Sequence, residues 1–213
     1  MKLSQVVYWI RIFKFLLILT ALLSCESKQT NQIGTEPISH ELWNQVLINY
    51  VDTLGRVNYR GLKEDHKILL DYLELLRSNR PNKECWNKKE SLAYWINLYN
   101  AFTLKLIIDH YPLKSIKNIG SMVQIPFINS PWDIECIDFG DEKISLNYVE
   151  HQILRKSFDE PRIHFAINCA SISCPNLRNK AYVASKIDAQ LIDQTQKFLN
   201  MLCQILDQAP MNH

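Results

Sequence analysis

Apolar positions along the chain fall into stretches of helical period separated by short polar breaks. Leu42, Trp43, Val46, Leu47 and Tyr50 share one face behind Ser39, a natural N-cap, and Asp52-Thr53-Leu54-Gly55 ends that run. Val57-Asn58-Tyr59 starts a new segment, in which Ile68, Leu69, Tyr72, Leu73 and Leu76 mark a helical face over residues 62–76 before Arg80-Pro81-Asn82 stops it. Asn87-Lys88-Lys89-Glu90 has capping-box spacing with Asn in the place of Ser. It opens SLAYWINLYNAFTLKLIIDHY, which Pro112 closes and which is apolar nearly all round, so this helix belongs inside the fold. Residues 122–128 and 134–139 read as short strands around Asn129-Ser130-Pro131, with Gly140-Asp141 turning into Lys143-Ile144. Ser145 is placed to cap a helix over 146–158. Asp159-Glu160-Pro161 ends it, the run Ile163-His164-Phe165-Ala166-Ile167 reads as a buried strand, and Ser185 caps a last helix through Ile187, Leu191, Thr195 and Phe198. The pattern predicts an α+β fold over residues 38–200, mainly helical with a small β-sheet.

The first 24 residues stand apart. Lys2, Arg11 and Lys14 precede the apolar run 15–23, which is shorter than the ~20 residues a spanning helix needs and has the form of a signal peptide. It ends in Leu22-Leu23-Ser24-Cys25, which resembles the lipobox of bacterial lipoproteins, where the signal is cut before a cysteine that is then acylated. The expectation is a domain exported to the bacterial cell envelope and held to a membrane by lipid on Cys25, with the polar stretch 26–37 as a flexible tether. The formal charge of +2 depends on the leader: without its three basic residues, 21 basic face 22 acidic ones, a balance that favours no nucleic-acid partner. A protein or peptide-like ligand is compatible with it. Export also places the cysteines in an oxidising compartment, and removing Cys25 leaves five.

Candidate chemistry concentrates in residues 150–176, which hold Glu150, His151, His164, Cys169 and Cys174 around the predicted strand and a small-residue loop. Three arrangements are open. Cys169 or Cys174 could be a thiolate nucleophile, with His164 or His151 as base and Asn97, Asn100 or Glu150 as orienting group, suited to hydrolysis or acyl transfer on peptide-like envelope material. Cys169 and Cys174 could instead form a disulfide that braces a short loop, leaving a non-catalytic binding or scaffold protein. In the third, His151, His164, Cys169 and Cys174 hold zinc, but their spacing is not a recognised zinc pattern, and neither metal nor cofactor is expected. Alternation along the predicted strand sets His164 opposite Ile163 and Phe165, where a core-lining histidine is the commoner outcome. Asn97 and Asn100, three apart on the apolar helix, either tie loop backbone to that helix or serve the site. His40, His66, His110 and His213 offer no constellation, and Trp43, Trp86, Trp95 and Trp132 read as packing.

Several separated motifs carry a resemblance. They are Val51-Asp52 with Val57-Asn58-Tyr59, the run from Ala93 to Ala101 (AYWINLYNA), Ser145-Leu146 with Glu150-His151 and Ile153-Leu154-Arg155, and Arg162-Ile163-His164-Phe165-Ala166 with Asn168-Cys169-Ala170-Ser171 and Ser173-Cys174-Pro175. In this order, over roughly residues 41–200, they resemble the bacterial and plant family catalogued as domain of unknown function 547. That resemblance implies one domain and no established reaction. A helix followed by a His-bearing strand also suggests a papain-like or transglutaminase-like arrangement. Residues 201–213 depart from the family pattern, as a divergent or truncated tail would.

Overall fold

Helix α1 spans Glu41–Tyr50, α2 Tyr59–Glu64, α3 Lys67–Ser78 and α4 Lys88–His110 in a computed structural model that describes residues 36–119, 130–170 and 174–208. The leader, Cys25 and all but the end of the tether lie outside the described residues. The N-cap of α1 is His40, not Ser39, and its side chain makes no capping bond; Ser39 Oγ, one residue earlier, accepts the Glu41 N–H at 3.2 Å, while Asn58 caps α2 by accepting the Gly61 N–H at 3.0 Å. At Asn87 the capping box closes. Its Oδ1 accepts from Lys89 and Glu90, and the Glu90 carboxylate accepts the Asn87 N–H at 2.7 Å. The single helical face expected over 62–76 is divided instead. Asn58 fixes the start of α2, Asp65 leaves helical geometry, and α3 begins afresh after His66.

Helix α4 is buried on every side, as its sequence requires. The α3 face packs against it, and the Tyr94 hydroxyl donates to the Leu76 carbonyl at 2.7 Å. Beyond α3, Trp43 of α1 stacks on Tyr72 with centroids 5.7 Å apart.

The sheet is two residues wide in each strand. Strand β1 (Ile137–Asp138) pairs antiparallel with β2 (Lys143–Ile144), Ile137 opposite Ile144, so only the end of the expected 134–139 strand forms. Gly140 turns the hairpin at φ +89°, a conformation open to glycine, and donates its N–H to the Asp138 carboxylate. The strand expected at 122–128 lies outside the described residues. Ser145 Oγ accepts the Tyr148 N–H and opens helix α5, in which Leu146–Tyr148 and Arg155–Ser157 flank a π-helical turn, Val149–Leu154.

The predicted strand over 163–167 does not form. Pro161–Phe165 is a 3₁₀ turn, because Pro161 sets a helical φ at its start and the Glu160 side chain takes the Arg162 N–H. Ile163, Ala166 and Ile167 are buried at helical spacing, and His164 is exposed, not lining the core. The comparison with papain-like or transglutaminase-like domains loses the His-bearing strand it was built on. Helix α6, Ile187–Gln208, follows a 3₁₀ turn over Ala184–Lys186 and runs on past residue 200. No helix among the described residues is long and apolar enough to cross a membrane.

Candidate functional site

Between Ala166 and Val183 the described backbone is neither helix nor strand, yet Ala166, Ile167, Leu177, Ala181 and Tyr182 are buried. Buried N–H and C=O groups without a ladder must be satisfied by something else. Here side-chain amides do it. Asn97 on α4 donates Nδ2–H to the Tyr182 carbonyl at 2.8 Å and accepts the Tyr182 N–H at 3.0 Å. One turn on, Asn100 donates to the Ala166 carbonyl at 2.9 Å and accepts the Asn168 N–H at 2.8 Å. From α6, Gln190 accepts the Val183 N–H and donates to the Ala181 carbonyl, while Gln194 donates to the Asn176 carbonyl. Asn44 of α1 accepts the Ala181 N–H. Each planar amide imitates a backbone peptide, so a helix surface replaces the missing neighbouring strand.

The loop carrying the two cysteines is held in the same manner. Asn168 donates to the Pro175 carbonyl at 2.7 Å and accepts the Ala170 N–H at 2.8 Å, closing the base of the loop. A Cys169–Cys174 disulfide closes it again, with Ala170 between them at φ +55°. A loop this short contributes only about 2 kcal/mol through chain entropy. The disulfide leaves neither sulfur available as a thiolate.

The other candidates separate into two groups. Asn100, Glu150 and the cysteine loop meet one turn of α4. Buried Tyr99 is hydrogen-bonded to the Glu150 carboxylate, and Arg155 donates to the same carboxylate at 2.6 Å. Burial, with the negative Glu150 beside it, holds the Tyr99 phenol well above its ordinary range. His151 and His164 are elsewhere. His151 is exposed on α5 and faces Asp133, whose carboxyl is held below its usual range by the Ser130 hydroxyl first, then by Asn147 and His151. His164 is exposed with its ring edge-on to Phe165, which in turn meets Phe198. Among the described residues neither imidazole is hydrogen-bonded to Asn97, Asn100 or the cysteine pair, and no group of three or more His, Cys, Asp or Glu is placed to hold a metal ion.

Asn44, Tyr99, Asp133, Asn168, Gln190 and Gln194 are the neighbours that sequence reasoning missed. Gln190 and Gln194 had a signal: they lie on the face of α6 that carries Ile187 and Leu191, where an amide must have buried partners. A second missed group is His40. Burial lowers its pKa to about 4, and its Nδ1 lies 2.8 Å from the Tyr72 hydroxyl.

Comparison with known proteins adds a family and nothing finer. No curated protein and no solved structure matches the chain. A family model described as "Protein of unknown function, DUF547" matches residues 83–199, which hold the buried helix α4, the cysteine loop and four of the amides that pin the loop backbone. The chain belongs to the DUF547 family.

Proposed function

We propose that the chain is a bacterial envelope lipoprotein, anchored through Cys25, whose domain acts by binding or scaffolding and not by thiol catalysis. The observation that carries this reading is the Cys169–Cys174 disulfide, which occupies both candidate nucleophiles. The amide pairs at Asn97 and Asn100 support it further, because both ends of each carboxamide are spent on loop backbone. A disulfide is also the state that an oxidising compartment maintains, in keeping with the leader and the lipobox-like Leu22-Leu23-Ser24-Cys25.

The test is mass spectrometry of the full chain recovered from cells and alkylated during lysis, before any reduction. The expected result is a peptide linked through Cys169 and Cys174, with neither residue alkylated. Labelling of either cysteine by a mild electrophile at neutral pH would restore the hydrolase or acyl-transferase alternative. Incorporation of radiolabelled palmitate into the parent, and its loss in Cys25→Ala, tests the anchor separately.

A further inference from the structure

We propose that the groove between α1 and the start of α6 binds a small amphiphilic anion, with Lys180 and Lys186 holding its phosphate or carboxylate group. It is lined by His40, Asn44 and Ile48 from α1 and its N-cap, by Lys186, Ala189 and Gln190, and by Arg178, Lys180, Ala181 and Val183 of the intervening segment. Its volume of about 660 Å³ suits a small molecule.

Charge sets the sign of the ligand. Lys180 and Lys186 are exposed and form no ion pair among the described residues, Arg178 is already paired with Asp193, and Glu41 is the one acid on the lining. The hollow between α3 and α4 shows the contrast. There Asp71, Glu74, Asp109 and Asp138 each meet a cation, so no charge is left over for a ligand.

Apolar surface lies beside the lysines. Ile48, 58% exposed, lines the groove together with Val183 and Ala189. An anion with a short apolar body covers both parts of the groove; a bare inorganic ion covers one. The intervening segment is also fixed in advance, because Asn44, Asn97 and Gln190 together hold the backbone of Ala181, Tyr182 and Val183. A preorganised site loses less entropy when it binds.

The inference deepens the binding reading and rests on it, but the two fail in different experiments: alkylation of Cys169 would sink the first and leave the groove untouched. The test is calorimetric titration of the full chain in nonionic-detergent micelles with hexyl phosphate, inorganic phosphate and hexanol. Hexyl phosphate should bind about tenfold more tightly than inorganic phosphate, and hexanol should not saturate. The double variant Lys180→Gln/Lys186→Gln should bind hexyl phosphate at least about tenfold more weakly, with an unchanged melting temperature. Ile48→Ser should narrow the gap between hexyl phosphate and inorganic phosphate, and Lys156→Gln, on the exposed side of α5, should change nothing. Parental affinity in the double variant, failure of hexyl phosphate to bind the parent, or hexanol binding as tightly as hexyl phosphate would overturn the proposal.

Discussion

Residues 41–110 and residues 166–183 both enter the core, and they satisfy their backbones by opposite means. In α1, α3 and α4 the peptide groups bond within each helix, so the buried faces can be apolar; Trp43, Leu47, Leu69, Tyr72, Leu76 and Ile96 are all but inaccessible. Over its described residues, the 166–183 segment has no such internal ladder. Its neighbours therefore carry polar side chains into the interior, and Asn97, Asn100, Gln190 and Gln194 are buried for that reason. These four carboxamides mark the places where a helix meets irregular backbone, whereas buried Thr103 bonds back to the Tyr99 carbonyl within α4. The contrast also explains why the carboxamides within the family motif need not be catalytic.

The largest expected effect comes from removing a clamp while keeping its volume. Asn97→Leu leaves the Tyr182 N–H and C=O without partners, at about 1–3 kcal/mol each, and should lower unfolding free energy in urea by about 2–5 kcal/mol. If the amide only filled space, the same swap inside a helix already so apolar would be close to neutral. Leu69→Ala, on the self-satisfied side of the comparison, should cost a similar ~2–5 kcal/mol, but as a cavity that a Met at the same position largely refills.

Next comes the contact between the two regions. Gly55 sits at φ +76°, and a Cβ there would lie 2.6 Å from Asn176 Cβ and 2.8 Å from the Leu177 carbonyl oxygen. Gly55→Ala should therefore cost about 2–3 kcal/mol in the same assay, more than its left-handed backbone alone imposes.

His40 gives a pH-dependent effect. The unfolded chain takes up the proton near 6.5 and the folded chain only near 4, so between those values protonation favours the unfolded state. The stability linked to His40 is complete above pH 6.5 and is lost as the pH falls toward 4. His40→Gln should lose about 3 kcal/mol less than the parent between pH 7 and pH 4, measured as the difference between the two stability curves. Curves that stay parallel would show that His40 titrates normally. The smallest effect is at the surface: Lys67→Ala breaks an exposed pair with Asp71 and should change stability by less than about 0.5 kcal/mol.

The helical periods were legible along the chain, and α4 carries its punctuation as well. Asn87 and Glu90 announce the start of α4, and Pro112 its end. The 163–167 run misled because five residues fit either period; Pro161 and the Glu160 side chain start a 3₁₀ turn instead, no strand among the described residues lies beside it, and Asn100 takes the Ala166 carbonyl. Burial on an apolar helix left the two asparagines either as ties to loop backbone or as site groups, and their partners at Tyr182 and Asn168, 85 and 68 residues away, left no trace in local pattern. The π-helical turn carrying Glu150 and His151 was equally invisible, since its sequence repeats like that of an ordinary helix.

Amide hydrogen exchange at Tyr182 and Asn168 tests the central claim most directly. In the parent chain both N–H groups should be protected to a degree approaching that of α4. Asn97→Ala should release the Tyr182 N–H and Asn100→Ala the Asn168 N–H, by about a hundredfold or more, with α1 protection unchanged. Rapid exchange at these sites in the parent, or protection that survives removal of the carboxamides, would contradict the account.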